Sequence, residues 1–426
     1  MKKLIASLIA FCMMVVSVPA FVLAKAPADV TTVTTPAAFL KAAQSMMEQS
    51  SMFRLTDKEN LKVDLSDTFQ TGRILVQPGK ALPADVLNKA DSAICYNGLY
   101  LLQYKTKKAT KAAYKALKEA YGADSVLLDR LFKVDLPKAS AVSAKAAAEY
   151  KSWGIKNMGL DKLKSRVKAR GYKTKVKVAV LDTGISFMES ALQKRVTDAF
   201  DCIAFTTVPQ DLNGHGSHCA GTIVEATPSN VKIMPVKILT SVGWGSTLHI
   251  VLGLLYAQWK GADVVNLSLG SPDIMTVKPY DALLKNLAAS GAVICCASGN
   301  EATDVKYSHP GNSKYVITIG ALKSNNRVDR RYSNYGSKVD FACPGTDVNG
   351  YAVVFGLPAT MTMTGTSMAA PHASAAAALV KVVHPNYNRA KVYSVFRSCA
   401  VDIEAKGKDP YAGWGRLDMS RYANRI

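Results

Sequence analysis

The chain has 426 residues, an apolar share of 49% and a formal charge of +21. That length holds one large domain plus a smaller one, and that composition excludes wholesale disorder, which requires too little apolar surface to bury. Much of the positive excess lies between Lys151 and Lys177, where ten Lys/Arg stand against the single acid Asp161. No aromatic platform or nucleic-acid motif is interleaved there, so no nucleic acid is expected and a solvated basic face is the simpler reading. The functional alternative is attachment to an acidic cell-envelope polymer.

Lys2 and Lys3 precede an apolar run from Leu4 to Leu23, and Val22-Leu23-Ala24 ends it with small residues. This reads as a secretory signal removed after Ala24, and hence as a secreted, extracellular protein. The run is barely long enough for an anchor, and nothing later matches it, so no transmembrane anchor is expected. Eight cysteines show neither a disulfide-framework spacing nor a zinc-site spacing. Cys295 and Cys296, adjacent in a strand-like run, point to opposite faces. Most cysteines are expected to be buried small hydrophobes, with one disulfide left open.

Residues 25–71 form an extension of no assigned role, with one readable helix, Ala37 to Glu48, striped by Phe39, Leu40, Ala43, Met46 and Met47. From Gly72 the pattern sharpens. Strand Arg73–Gln77, helix Pro83–Ala90 and strand Ser92–Tyr96 lead to the turn Asn97-Gly98. Strand Leu99–Lys105, helix Lys107–Tyr121 and strand Val126–Val134 follow. The order β-α-β-β-α-β predicts a small ferredoxin-like α+β domain over residues 72–135. Residues 136–152, rich in Ala, Ser and Lys, read as a linker open to proteolysis.

A larger pattern occupies 153–426. Apolar strands are expected at Val176–Leu181, Val231–Leu239, Asp263–Leu269, Val293–Ala297 and Tyr315–Ala321. Helices are expected at Leu248–Lys260, Tyr280–Ser290, Thr366–Val383 and Arg389–Cys399. Buried strands alternating with helices predict an α/β doubly wound parallel sheet, in which ligands bind beyond the C-terminal strand ends.

Four residues fall at such ends or at helix starts. Asp182 closes the first strand in Val180-Leu181-Asp182-Thr183-Gly184. His215 stands between Gly214 and Gly216, with His218 and Cys219 beyond it. Asn300 closes Ala297-Ser298-Gly299-Asn300. Ser367 opens a run of small residues, Gly365-Thr366-Ser367-Met368-Ala369-Ala370-Pro371-His372. Singly, these have plainer readings: a capping aspartate, a turn asparagine, a metal-binding histidine pair. Only Cys219 could join such a pair at ligand spacing, which argues against metal. Together they supply an acid, a base, an oxyanion donor and a nucleophile.

The order Asp…His…Asn…Ser, with the stretches Val180–Ile185, Asn213–Ile223, Val264–Gly270, Ala297–Asn300, Tyr332–Gly345, Gly365–His372 and Gly413–Asp418, resembles the subtilisin-like serine proteases, the subtilases. The likeness spans about residues 153–420. It implies a serine endopeptidase in which Ser367 attacks, His215 is the base, Asp182 orients it and Asn300 serves the oxyanion hole. It also implies a substrate site. Ser268, Leu269, Gly270, Ala297, Ser298 and Gly299 would wall the specificity pocket, with Glu301 and Ser308 near its rim. Val242, Gly243, Trp244 and Gly245 would form an edge that pairs with extended protein or peptide substrate. A broad apolar preference is expected. Residues 72–135 would be the propeptide, inhibiting a self-processing zymogen until removed, and the mature enzyme would be a monomer.

Departures from the family pattern are Ala373, Ala375 and Ser217, all packable. Cys219 is implied to lie under the catalytic histidine. Between Thr222 and Val236 the chain is too short for the inserted calcium loop of some subtilisins. No cofactor is therefore expected and no metal residue is assigned, while weaker calcium binding elsewhere stays open.

Overall fold

The computed structural model of the protein describes residues 30–52, 54–56, 66–134, 141–143, 152–270, 278–354 and 357–426. The expected signal segment and most of the expected linker lie outside these residues. Among the described residues no helix is long and apolar enough to cross a membrane.

The N-terminal unit begins with a strand the sequence did not signal, β1 (Val30–Val33), followed by α1 (Pro36–Gln49). Thr35 caps α1 by accepting the Ala38 N–H at 3.2 Å, and Pro36 occupies the first turn, where a missing N–H costs nothing. Strand β2 (Arg73–Val76) is followed by a single turn at Ala84–Leu87 in place of the expected longer helix. Strands β3 (Ser92–Tyr96) and β4 (Leu99–Gln103) form a hairpin. Its turn residues, Asn97 and Gly98, both have positive φ, which the Asn-Gly pair tolerates. Helix α2 (Lys107–Tyr121) and β5 (Val126–Leu128) complete the unit.

The sheet order is β1-β3-β4-β2-β5, with β1 parallel to β3 and the other pairs antiparallel. Period-2 alternation gives it two apolar faces. Ile74, Val76, Leu102 and Leu128 pack with Leu117 of α2. Leu75, Ile94, Leu101 and Leu127 share the other core with Phe39, Leu40, Ala43, Met46 and Met47 of α1. The final expected strand splits in two. Asp129 turns aside to bond the buried Arg73 Nε at 2.7 Å, and β6 (Leu131–Lys133) leaves this sheet to pair with residues 244–246 of the large domain in a separate two-stranded ribbon.

A short strand β7 (Ala141–Ser143) precedes the large domain. The basic stretch folds as α3 (Leu160–Ala169), which buries Leu160, Leu163 and Val167 and turns its charges outward. Next come β8 (Val176–Asp182), β9 (Phe200–Asp201), α4 (His215–Ala226), β10 (Val231–Lys237), β11 (Trp244–Ser246) and α5 (Thr247–Trp259). Strand β12 (Val264–Leu267), α6 (Lys278–Ala289), β13 (Val293–Ala297), β14 (Ile317–Leu322) and β15 (Phe341–Pro344) continue the alternation. The hairpin β16 (Val348–Val354) and β17 (Leu357–Met363) leads into α7 (Thr366–Val383). Helix α8 (Arg389–Cys399), β18 (Ala400–Val401) and β19 (Arg416–Leu417) follow.

The main sheet runs β18-β19-β15-β14-β13-β12-β8-β10-β9, parallel except for β18 against β19. One face carries α3, α4, α7 and α8, the other α5 and α6, so the sheet is doubly wound as expected. The alanines of α7 give it room to lie deep: Ala369, Ala373, Ala375, Ala376, Ala377 and Ala378 are all fully buried. The seven described cysteines are all free thiols, six of them buried. The open question of a disulfide is answered in the negative for these residues.

Candidate active site

Asp182 ends β8 in the middle of the sheet, so its carboxylate projects beyond the strands at 1% exposure. Its Oδ1 accepts the Thr183 N–H at 2.7 Å and lies 2.7 Å from His215 Nδ1. His215 opens α4 directly after Gly214, whose φ of 103° a side chain would strain and whose Cβ would sit 2.9 Å from the Val353 nitrogen. Burial disfavours the charged imidazole, but the charge and hydrogen bond of Asp182, aided by Asp211, outweigh it and hold the pKa above the usual histidine value.

Asp211 was missed in the sequence and shapes this loop. Its Oδ1 accepts the N–H groups of Asn213 and Gly214, both at 2.9 Å, and the Thr183 hydroxyl at 3.0 Å. Its Oδ2 accepts the Ser217 N–H at 2.9 Å and hydroxyl at 2.6 Å. The available signal was Asp211-Leu212-Asn213-Gly214, the pattern of an Asx turn just before a helix.

Ser367 sits in the first turn of α7, where its N–H has no partner within the helix. Pro371, four residues on, has no N–H to give the Ser367 carbonyl. That carbonyl instead accepts the Ser268 hydroxyl at 2.8 Å and the Cys219 thiol at 3.5 Å. The Ser367 hydroxyl donates to the Ser268 carbonyl at 3.0 Å, and the buried His215 Nε2 makes no hydrogen bond. Asn300 is fixed by its oxygen, which accepts both the N–H and the hydroxyl of Thr366 at 2.8 Å. Its NH₂ is thereby left as a donor beside the serine.

His218 Nε2 donates to the Val348 carbonyl at 2.9 Å, and burial pushes its pKa down to about 4. Burial likewise pushes His372 down to about 4. Among the described residues, the ligand atoms of Asp182, His215 and Cys219 come within 4.8 Å of one another, without His218. Burial holds the Cys219 thiol protonated and Asp182 already engages His215 Nδ1, a poor donor set for a resident ion.

Ser268, Leu269 and Gly270 follow β12, and Ala297 ends the neighbouring β13 with Ser298 and Gly299 beyond it, so the two stretches lie side by side. Ser308 joins them. A Cβ on Gly270 or Gly299 would lie 2.9 or 3.1 Å from its Oγ, which is buried and makes no hydrogen bond. Glu301 is tied to Asn334 Nδ2 at 2.6 Å. Of the stretch Val242, Gly243, Trp244 and Gly245, the last two open β11, which pairs antiparallel with β6 in the register Trp244↔Lys133, Gly245↔Phe132. The Val134 N–H continues the pairing to Gly243 O at 2.9 Å. Phe132 is buried against Gly245 and Leu239, while Lys133 Nζ lies 5.6 Å from the centre of the Trp244 ring.

The profile of the subtilase family matches residues 173–415, more than half of the chain. The chain is 30% identical over 363 residues to the cell wall-associated protease of Bacillus subtilis (strain 168), covering 76% of this chain and 38% of that protein. It is 32% identical over 271 residues to subtilisin DY of Bacillus licheniformis, covering 61% of this chain and 94% of that one. A crystal structure of a cold adapted subtilisin-like serine proteinase aligns with a TM-score of 0.52 at 26% identity, over 58% of this chain and 89% of that one. The large domain has that subtilisin-like α/β fold. The chain belongs to the subtilase family, the subtilisin-like serine proteases.

Proposed function

We propose that this subtilase is a secreted serine endopeptidase, made as a self-processing zymogen, with Ser367, His215 and Asp182 as its catalytic triad. The buried 2.7 Å pair of His215 and Asp182, with Asn300 bonded to Thr366 beside Ser367, carries the reading. Rotation of the Ser367 side chain away from Ser268 would present Oγ to His215 Nε2. As Oγ bonds to the substrate carbonyl carbon, Nε2 takes its proton and Asp182 stabilises the imidazolium. The carbonyl oxygen, now negative, receives the Asn300 NH₂ and the Ser367 N–H. Collapse expels the amine, which takes the proton from Nε2. Water, activated by the same imidazole, then releases the acyl group from Ser367. No cofactor or metal enters these steps.

Substrate would bind extended along Val242–Gly245, in the position now held by residues 131–134, an arrangement that supports the N-terminal unit as the inhibitor. The Phe132 and Lys133 contacts favour an apolar side chain against Gly245 followed by a basic one over Trp244. Glu301, held by Asn334, fits a broad apolar preference in the pocket between Gly270 and Gly299. Self-cleavage would fall within the linker, residues 136–152. Casein hydrolysis and self-processing by Ser367→Ala test the proposal: both should be lost, and robust cleavage by that variant would overturn it.

A further inference from the structure

We infer that β17 holds a second strand-pairing site, on the leaving side of the scissile bond, which binds the extended polypeptide C-terminal to the cut. The inference deepens the catalytic reading above and rests on it. Two antiparallel pairings hold the chain across the candidate active site. Strand β6 lies on β11, and β7 lies on β17 in the register Ala141↔Thr362, Val142↔Met361, Ser143↔Thr360. Val134 and Ala141 are seven residues apart. That many steps of extended chain reach about 25 Å at most, so the two pairings belong to one short pass.

The direction of each pairing orients that pass. From Leu131 to Lys133 the partners run from Ser246 back to Trp244, and the Val134 N–H meets Gly243 O. The chain therefore heads toward Ser241, whose carbonyl accepts Nδ2 of Asn213, a near neighbour of His215, at 2.7 Å. From Ala141 to Ser143 the partners run from Thr362 back to Thr360, away from Met363 and the first turn of α7 that carries Ser367. The chain thus arrives on the His215 side and departs from the Ser367 side. The bond presented to Ser367 falls between Val134 and Ala141, in the early part of the linker, and residues 141–143 lie beyond it.

The hairpin is built to hold such a strand. Its inner strand, β16, is pressed on α4: a Cβ on Gly350 would collide with the His218 ring, and one on Gly221 would lie 2.6 Å from Tyr351 Cδ2. Its base is closed by the Asp347 N–H on Thr364 Oγ1 at 2.9 Å and the Gly365 N–H on Gly345 O at 2.8 Å. Strand β17 is the middle one of three, so β7, or a substrate in its place, completes the sheet. Leu357–Met363 contains no charged residue. Main-chain bonds then supply the affinity, and the site accepts many sequences provided they are extended. Peptides that end soon after the cut miss it, and lose binding energy that would otherwise serve the reacting bond. Residues 141–143 stay joined to the large domain after the first cut, so they compete with substrate for β17.

Two arms test this. The first needs no catalysis: amide hydrogen exchange of the full Ser367→Ala chain, with and without Ala141→Pro and Val142→Pro together. Adjacent amides in a strand face opposite sides, so the two prolines remove whichever one bonds β17. Exchange over residues 357–363 is expected to rise at least severalfold, and unchanged exchange there overturns the inference. The second arm uses the processed double-proline variant, whose own segment cannot compete, with synthetic peptides of residues 130–140 and 130–146. The longer peptide is expected to be cut between Val134 and Ala141 with kcat/KM about tenfold higher, the scale of two main-chain hydrogen bonds. N-methylation of Ala141 and Ser143 in that peptide, or of Val142 alone, should cost unequally, since one set faces β17 and the other faces solvent. Equal kcat/KM for the two lengths, or equal losses from the two methylation patterns, overturns the inference. Casein is the control: a processed enzyme inert toward casein contradicts the catalytic reading, while the exchange arm still decides the pairing.

Discussion

Ser268 and Ser367 exchange hydrogen bonds: the Ser268 hydroxyl donates to the Ser367 carbonyl at 2.8 Å, and the Ser367 hydroxyl donates to the Ser268 carbonyl at 3.0 Å. The first bond exists because Pro371 cannot supply the helical one. Asn266 Nδ2 steadies the Ser268 hydroxyl at 2.9 Å. Ser268→Ala should leave the buried Ser367 carbonyl with only the weak Cys219 thiol donor. We expect it to cost about 1–3 kcal/mol of unfolding free energy in urea, measured on the inactive Ser367→Ala background to prevent autolysis. An unchanged midpoint and slope would show that the carbonyl finds another donor.

The His215–Asp182 pair sets the pH dependence. Activity needs neutral His215, and its folded-state pKa lies above the usual histidine value, so kcat/KM should rise with pH through a midpoint above about 6.5. Asp182→Asn removes the charge that favours the imidazolium. The acidic limb should then move to lower pH while the plateau falls by orders of magnitude. A limb that stays in place in Asp182→Asn would separate His215 from the rate.

Asn300 and Thr366 give a graded pair. Asn300→Ala should lower kcat by about two to three orders of magnitude with little change in KM, the scale known from subtilisin's own oxyanion asparagine rather than from this geometry. Thr366→Val keeps the backbone bond to Asn300 Oδ1 and deletes the hydroxyl bond. It should cost less, about tenfold, because the amide loses orientation but not its donor. Equal losses in the two variants would contradict this division.

The sequence disclosed the elements whose periodicity answers to a single core. Helices 107–121, 366–383 and 389–399 and strand 293–297 match the structure to the residue. Of the residues singled out for catalysis, Asp182 ends β8 and meets His215 at the start of α4, and Asn300, just beyond β13, meets Thr366 beside Ser367 at the start of α7. Strand β1 was not legible, because Val30–Val33 gains strand form only by lying on the edge of β3. The break at Asp129 was hidden for a similar reason: the carboxylate serves Arg73 and Leu248, partners 56 and 119 residues away. Asp211 and Thr366 act by holding other residues, and their side chains look like ordinary turn and cap residues until the loops meet.

His249 should make the fold acid-sensitive. It is buried at the start of α5, with Nδ1 bonded to Ser246 Oγ at 3.0 Å. Burial pushes its pKa down to about 4, with Arg73 and Arg54 adding to the shift and Asp129 opposing it. A lowered pKa means that the folded state disfavours the proton. The stabilisation is therefore complete above about pH 6.5 and lost as pH falls from there toward about 4, a change on the order of 3 kcal/mol at most. Urea unfolding of the Ser367→Ala chain should show stability falling below pH 6. His249→Gln should flatten that dependence; if it does not, other groups govern the acid limb.

The central claim is that Ser367 is the nucleophile. It is tested most directly by treating the processed protein with a fluorophosphonate and mapping the adduct by mass spectrometry. The account predicts one phosphonylated residue, Ser367, formed at neutral pH and lost when the protein is first unfolded or carries His215→Ala. An adduct on another residue, or none on Ser367 in protein that hydrolyses casein, would contradict it.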